Sequence, residues 1–282
     1  MTTTTSTAHS APQSTGPAST PRTPLAQLDI VAQVEQQLDH LQQMLERPKA
    51  PFLPDHFVSV VIPVYNEQST ILQVVESVLR LPLDLEVVIV DDGSRDGTRE
   101  RLAAIENLEG VRVIYHDKNQ GKGAALRTGL AAAEGDLVVI QDADLEYDSS
   151  EIVSLLLPLA NGAADVVYGS RFIAGRPRSC GFWQYWGNRF LTGLSNQTLG
   201  LQLTDMETCY KAFSRWTVDS LQLSENRFGF EPEVTAKLAN LGARIREMPV
   251  SYQPRTWRQG KKIGLFDLVS AIRCIFRYSW AN

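Results

Sequence analysis

Two aspartates one residue apart, Asp142 and Asp144, stand directly after a run of branched apolar side chains, Asp136-Leu-Val-Val-Ile140. A run of that kind without helical spacing predicts a strand buried on both faces of a parallel sheet, with the carboxylates at its carboxyl end. Open α/β sheets bind ligands outside those strand ends. In extended backbone the two acids point the same way, with only Ala143 between them. Like charges held that close repel unless a cation intervenes, and Mg²⁺ or Mn²⁺ takes one or two carboxylates together with substrate phosphates. The chemistry on offer is that of a phosphorylated ligand bridged by a metal. An isolated Asp-x-Asp pair is more often a solvated turn, so its meaning depends on what surrounds it.

The surrounding elements follow a regular rhythm. Residues 57–64 read as a strand, followed by Tyr65, Asn66 and Glu67 and a helix to about Leu81. Residues 85–90 form a second strand ending in Asp91 and Asp92, with Asp96-Gly-Thr98 supplying turn and cap chemistry for the next helix. A third strand, 111–115, leads to Gly121-Lys-Gly123 and a helix over 124–133; a helix over 149–160 and a strand over 164–168 then end at Arg171. This alternation predicts an α/β fold with a mostly parallel sheet and right-handed crossovers. Tyr65, Asn66, Glu67, Asp91, Asp92, Asp142, Asp144 and Arg171 then share one sheet edge. Gly121-Lys-Gly123 has neither Walker spacing nor a dinucleotide fingerprint, and reads as a helix start with room for close packing. Several carboxylates, one arginine and no phosphate loop are unlike a kinase or a dehydrogenase, and suit a nucleoside diphosphate held through a metal.

Composition sets the bounds. At 282 residues and 43% hydrophobic, the chain holds one large domain or two small ones of soluble character. The net charge of -5 is uneven: residues 244–282 carry eight basic side chains against Glu247 and Asp267, so that stretch is +6 and the remainder -11. The basic stretch favours phosphates or lipid headgroups. Cys180, Cys209 and Cys274 are odd in number and far apart, which reads as reduced thiols in a cytoplasmic setting. No apolar run approaches the roughly 18–20 residues of a spanning helix, so the chain is not expected to cross a membrane on its own. Residues 1–24, rich in Thr, Ser and Pro, are expected to be disordered. Residues 25–47 predict an amphipathic helix striped by Val31, Val34, Leu38, Leu41 and Leu45, serving either as a homodimer contact or as a helix laid on the catalytic domain. Pro48, Pro51 and Pro54 end it.

Four motifs in order, Val60-Val-Ile-Pro-Val-Tyr-Asn-Glu67, Val90-Asp-Asp-Gly-Ser94, Gln141-Asp-Ala-Asp-Leu145 and Val167-Tyr-Gly-Ser-Arg171, resemble the signatures of the family 2 glycosyltransferases. Within that family the chain is most similar to the polyprenyl-phosphate (dolichol-phosphate) hexosyltransferases, over residues 56–264. The resemblance implies a GT-A fold for residues 56–262, a UDP- or GDP-hexose donor, inversion at the anomeric carbon and a polyprenyl phosphate acceptor. It implies that Pro63, Tyr65 and Glu67 line the base and ribose pocket with Asp92 beside them. Asp142 and Asp144 would serve the pyrophosphate and its Mg²⁺ or Mn²⁺, with Glu146 as a further metal contact where mannose-transferring members commonly carry Gln. The stretch from Thr204 to Arg215 makes Asp205 the expected catalytic carboxylate, and Glu231 a secondary one. Arg171, and Arg255 and Lys262 in the basic loop 252–263, are expected to neutralise the leaving diphosphate.

An alcohol acceptor needs a general base, whereas a phosphate with a second pKa of about 6 is already anionic near neutrality. With a lipid phosphate, Asp205 would orient the sugar or balance the metal site. The alternatives are the same transfer to a soluble or polysaccharide acceptor, and a non-catalytic nucleotide-sugar-binding regulatory protein; no nucleic-acid partner is expected. Residues 263–282 predict a second amphipathic helix with Phe266, Val269, Ile272, Ile275 and Phe276 on one face and Ser270, Arg273 and Arg277 on the other. It either rests on the cytoplasmic membrane face as a peripheral contact or packs on the sheet. Phe182, Trp183, Tyr185 and Trp186 either guide a prenyl chain or fill the core.

Overall fold

The computed structural model describes residues 36–42, 52–177, 180–227, 229–255 and 265–279. Its strands follow the branched apolar runs. β1 (Phe57–Val64), β2 (Asp84–Asp91), β3 (Val111–Tyr115) and β4 (Leu137–Ile140) pair in parallel, β4 beside β1 and β2 between β1 and β3. β5 (Val166–Ser170) pairs in parallel with β7 (Ile245–Pro249). Between β4 and β5 lies β6 (Lys211–Ser214), antiparallel to both, so the sheet runs β3-β2-β1-β4-β6-β5-β7. Val88, Ile89 and Val90 alternate across β2 yet all are sealed from solvent, because helices cover both faces.

The helices are α1 (36–42), α2 (Ile71–Leu79), α3 (Thr98–Ile105), α4 (Lys122–Ala132), α5 (Ile152–Ala160, after a 3-10 turn Ser149–Glu151), α6 (Phe182–Leu199), α7 (Arg215–Ser220), α8 (Phe230–Asn240) and α9 (Leu265–Ser279). On one face of the sheet Val60, Ile62 and Ile89 pack with residues of α2, α3 and α5, and Leu41 of α1 is buried in the same cluster. On the other face Val61, Val88 and Ile140 pack with α4, α8 and α9. Of the helix predicted over 25–47, only residues 36–42 lie among those described; there Leu38 and Leu41 pack against the domain.

α9 packs chiefly on α8 and α6 and joins the core cluster on that face of the sheet, and it is rotated from the predicted face. Ala271, Cys274, Ile275 and Tyr278 turn inward while Val269 and Phe276 are exposed. Polar anchors at its end hold it in that orientation. The Tyr278 hydroxyl hydrogen-bonds Glu225 at 2.9 Å and Ser224 at 2.8 Å, and the Ser279 hydroxyl donates to Thr198 at 3.0 Å.

Candidate functional site

Each functional side chain is set by the turn that follows its strand. After β1 the chain reverses at Asn66, whose φ of 57° is rare for a residue with a side chain, and the Asn66 Oδ1 accepts the Arg95 N–H at 2.8 Å. That bond ties the β1 turn to the β2 turn. After β2, Asp91 turns inward and is spent on Arg99 Nε at 2.7 Å and on the Ser94 N–H. Asp92 instead accepts from the Gln120 and Gly121 N–H groups at 2.9 and 2.7 Å and contacts His116 Nδ1 at 2.8 Å, so it fixes the start of α4. Gly121, at φ 103°, and Gly123 permit that start to lie against residues 225–227, where an added Cβ would meet backbone atoms at 2.3 and 2.4 Å. The close packing read from this Gly-Lys-Gly stretch is therefore present. Its lysine does more than the sequence discloses.

Asp142 and Asp144 leave β4 into a cleft of about 320 Å³ that is also lined by Pro63, Tyr65, Glu67, Asp92, Lys122 and Arg227. Lys122 Nζ donates to Asp142 Oδ1 at 2.6 Å and lies 2.7 Å from Cys209 Sγ. Burial alone would pull that ammonium's pKa down, but the Asp142 carboxylate outweighs it and holds the pKa well above its usual value. For Asp144 every large influence has one sign. Burial, then the carboxylates of Asp142 and Glu146, push its pKa up to about 7. The next residue, Leu145, is held in the left-handed region at φ 56°, a conformation that costs roughly 1–2 kcal/mol outside glycine.

Past that turn, Glu146 is engaged by the segment after β7. Its carboxylate accepts from the Tyr252 hydroxyl and from the Arg255 N–H, both at 2.8 Å. This is the carboxylate that the resemblance places near the metal, and each of its oxygens has one partner from that segment. Arg255 forks onto Glu67 through two bonds of 2.8 Å and donates to the Asp144 carbonyl at 3.0 Å, tying together two residues that line the cleft. Lys262 lies outside the described residues.

Asp205 and Arg171 form one unit. The Asp205 carboxylate, sealed from solvent, accepts from Arg171 N, Nε and Nη2 at 3.0, 2.6 and 2.8 Å and from Asn188 Nδ2 at 2.8 Å. Burial would raise its pKa, but the guanidinium and these bonds prevail and hold it below the usual carboxylate range. A proton acceptor must present a lone pair to the substrate. Both Asp205 oxygens are occupied by Arg171 and Asn188, the arrangement of a carboxylate that holds Arg171 in place. Glu231 is likewise buried, accepting from Cys209 Sγ at 3.3 Å behind the cleft rather than lining it.

A model of glycosyl transferase family 2 matches residues 59–220, more than half of the chain. The chain belongs to glycosyl transferase family 2. Among curated relatives, it is 33% identical over 74% of its length to glycosyltransferase AglD of Haloferax volcanii, covering 35% of that protein. It is 32% identical over 78% of its length to the undecaprenyl-phosphate 4-deoxy-4-formamido-L-arabinose transferase of Pseudomonas aeruginosa, covering 66% of it. The chain thus spans between about a third and two thirds of these relatives' length. Among solved structures, glucosyl-3-phosphoglycerate synthase from Mycobacterium tuberculosis, crystallised with Mn²⁺, UDP-glucose and phosphoglyceric acid, superposes with a TM-score of 0.61 at 23% identity, over 86% of this chain and 83% of that one. That likeness confirms the GT-A fold.

Two cations of the family 2 cleft escaped sequence reasoning, Lys122 and Arg227. Lys122 stands in a visible glycine-flanked motif, so a signal existed. For Arg227, in the loop before α8, no motif offered one; only the packing of Gly121 and Gly123 against residues 225–227 brings it to the cleft.

Proposed function

We propose that this family 2 glycosyltransferase moves a hexose from a nucleoside-diphosphate sugar to a polyprenyl phosphate, with inversion, using Mg²⁺ or Mn²⁺ held at Asp142 and Asp144. One observation carries the metal and donor parts. Two adjacent carboxylates open on a cleft in a state of excess negative charge, with Asp144 pushed to about 7 by burial and by its acidic neighbours. Oxygen donors in that pattern fit a hard cation that completes its shell with phosphates and water. When bound, the cation would supply electrophilic stabilisation of the departing diphosphate.

The chain's own residues do the rest. Pro63, Tyr65 and Glu67 form the wall for the base and ribose. Lys122 and Arg227 supply fixed positive charge for phosphate oxygens, and Arg255 locks Glu67 in place. Arg171, immobilised by Asp205, is a preorganised cation beside the Tyr252 ring, 5.0 Å from its centre. Lys262 would add to this charge from the loop that follows Arg255.

A lipid phosphate is already ionised and needs no general base, which agrees with the sealed position of Asp205. The relatives named as undecaprenyl-phosphate transferases support the same acceptor class. A peripheral position on the cytoplasmic membrane face follows from that acceptor, and no helix among the described residues is long and apolar enough to span a bilayer.

The test is transfer of radiolabelled sugar from UDP- and GDP-hexoses, with Mn²⁺ or with chelator, in the presence and absence of polyprenyl phosphate. Label entering the organic phase only with both metal and lipid phosphate is expected. Label passing to a water-soluble acceptor, or transfer indifferent to chelator, would overturn the corresponding part.

A further inference from the structure

α6 is built inside out. Its buried positions are Asn188, Leu191, Thr192 and Ser195, three of them polar. Asn188 donates to Asp205 at 2.8 Å, and the Thr192 hydroxyl donates to Asn188 at 3.1 Å. The large apolar side chains face the other way, with Phe182 52%, Trp183 85%, Trp186 53% and Phe190 57% exposed. At 3.6 residues per turn these four fall within an arc of about 100°, opposite the buried positions. A surface helix ordinarily turns its apolar stripe inward. A contiguous exposed aromatic face on a soluble domain marks an interaction surface.

Charge identifies the occupant. Arg171 is neutralised by Asp205, but from Phe172 to Thr204 the sequence carries three further arginines, Arg176, Arg178 and Arg189, and no aspartate or glutamate, in a chain whose net charge is -5. Arg189 is exposed on the aromatic side of the helix, and Arg176 stacks over Phe182 and Tyr185 at 5.6 and 5.9 Å. Tryptophan and phenylalanine flanked by arginine are the side chains that seat in the headgroup region of an anionic bilayer, the rings at the acyl boundary and the cations on phosphates. The helix also reaches the site. Gln184 Nε2 donates to the Tyr252 hydroxyl at 3.3 Å, and that hydroxyl donates to Glu146 Oε2 at 2.8 Å, two residues from Asp144.

We infer that the exposed face of α6, with Phe182, Trp183, Trp186, Phe190, Arg176 and Arg189, docks on the surface of an anionic phospholipid bilayer and seats the cleft against it. The inference gives a location to the lipid-phosphate acceptor proposed above and rests on that reading for its purpose. Its test uses neither donor nor acceptor, so the two fail separately.

The full chain is sedimented with phosphatidylcholine vesicles and with vesicles in which part of the lipid is phosphatidylglycerol. Binding to the anionic vesicles is expected, weakened by salt. Arg176→Gln with Arg189→Gln should lower the partition coefficient about fivefold per arginine, and Trp183→Ser with Trp186→Ser by about tenfold or more, with melting temperatures unchanged. Trp183→Phe with Trp186→Phe keeps the apolar face and serves as a second measure. It should still bind, but should lose most of the quenching of tryptophan fluorescence by brominated lipid. The inference is overturned if the wild type ignores anionic vesicles, or if quenching persists in the Phe variant. It is equally overturned if binding follows Val269→Ser with Phe276→Ser on α9 instead, or if the serine variants only disperse a dimer.

Discussion

Two carboxylates near the same sheet edge receive opposite treatment from the fold. Asp205 is surrounded by donors from Arg171 and Asn188, and its pKa falls although it is wholly buried. Asp144 has acids for neighbours and its pKa climbs to about 7. Burial disfavours charge in both places, so the difference lies in the partners. An acid whose oxygens are all answered from within the chain is scaffolding. An acid crowded by other acids at the mouth of a cleft suits a cation from outside, and that asymmetry separates the proposed binding half of the site from the supporting half.

The comparison can be broken most forcefully on the binding side. Asp142→Asn or Asp144→Asn should lower kcat/KM for sugar transfer by about 10³-fold, the scale of losing a principal electrostatic group at a reacting centre. Steady-state transfer assays at saturating Mn²⁺ check it. On the supporting side, Arg171→Ala leaves the Asp205 charge buried without its partner and should cost about 3–4 kcal/mol in urea unfolding. Replacing both residues with apolar ones, as in Arg171→Met with Asp205→Leu, should recover much of that loss without recovering transfer.

Asp144→Asn has a second, opposite effect that sharpens the contrast. The native group titrates near 7 and an unfolded aspartate near 3.8, so the native state holds a proton that the unfolded chain has released. Wild-type stability therefore declines as pH rises from about 4 towards 7, and the penalty is complete above that window. Without metal at pH 8, Asp144→Asn should be more stable by about 1–2 kcal/mol, or roughly 3–6 °C in Tm by scanning calorimetry, while below pH 4 the two proteins should melt together. The smallest effect is expected at Arg255→Gln, which removes the fork onto Glu67. Both side chains are partly exposed, so the stability loss should be about 0.5–1 kcal/mol, read mainly as weaker donor binding in calorimetry.

Much of the binding half was legible because it is local. Strands of Val and Ile that stop at an acid, as at Asp92 and Asp142, announce both the element and the position of its polar tip. The supporting half was obscure because its contacts are distant in sequence. Arg171 and Asp205 are 34 positions apart, and nothing in either motif says that one consumes the other. β6 was legible only through the resemblance of the stretch from Thr204 to Arg215, because Lys211, an unlikely core residue, sits wholly buried, its ammonium donating to the Met206 carbonyl at 3.0 Å and lying 4.3 Å from the Tyr168 ring centre. Lys122 was visible but undervalued: the glycines that suit it for close packing also bring it onto Asp142. The partners of Glu146 were equally out of view: the resemblance placed its carboxylate near the metal, and only the fold brings Tyr252 and Arg255, more than 100 positions on, to donate to it.

The most direct measurement is Mn²⁺ titration followed by electron paramagnetic resonance, with UDP or GDP present, on the wild type and on Asp142→Asn with Asp144→Asn. Saturable binding that depends on the nucleotide is expected in the wild type, and its loss in the double variant without a fall in melting temperature. Equal Mn²⁺ binding by both proteins would contradict the claim that these two acids are the cation's seat.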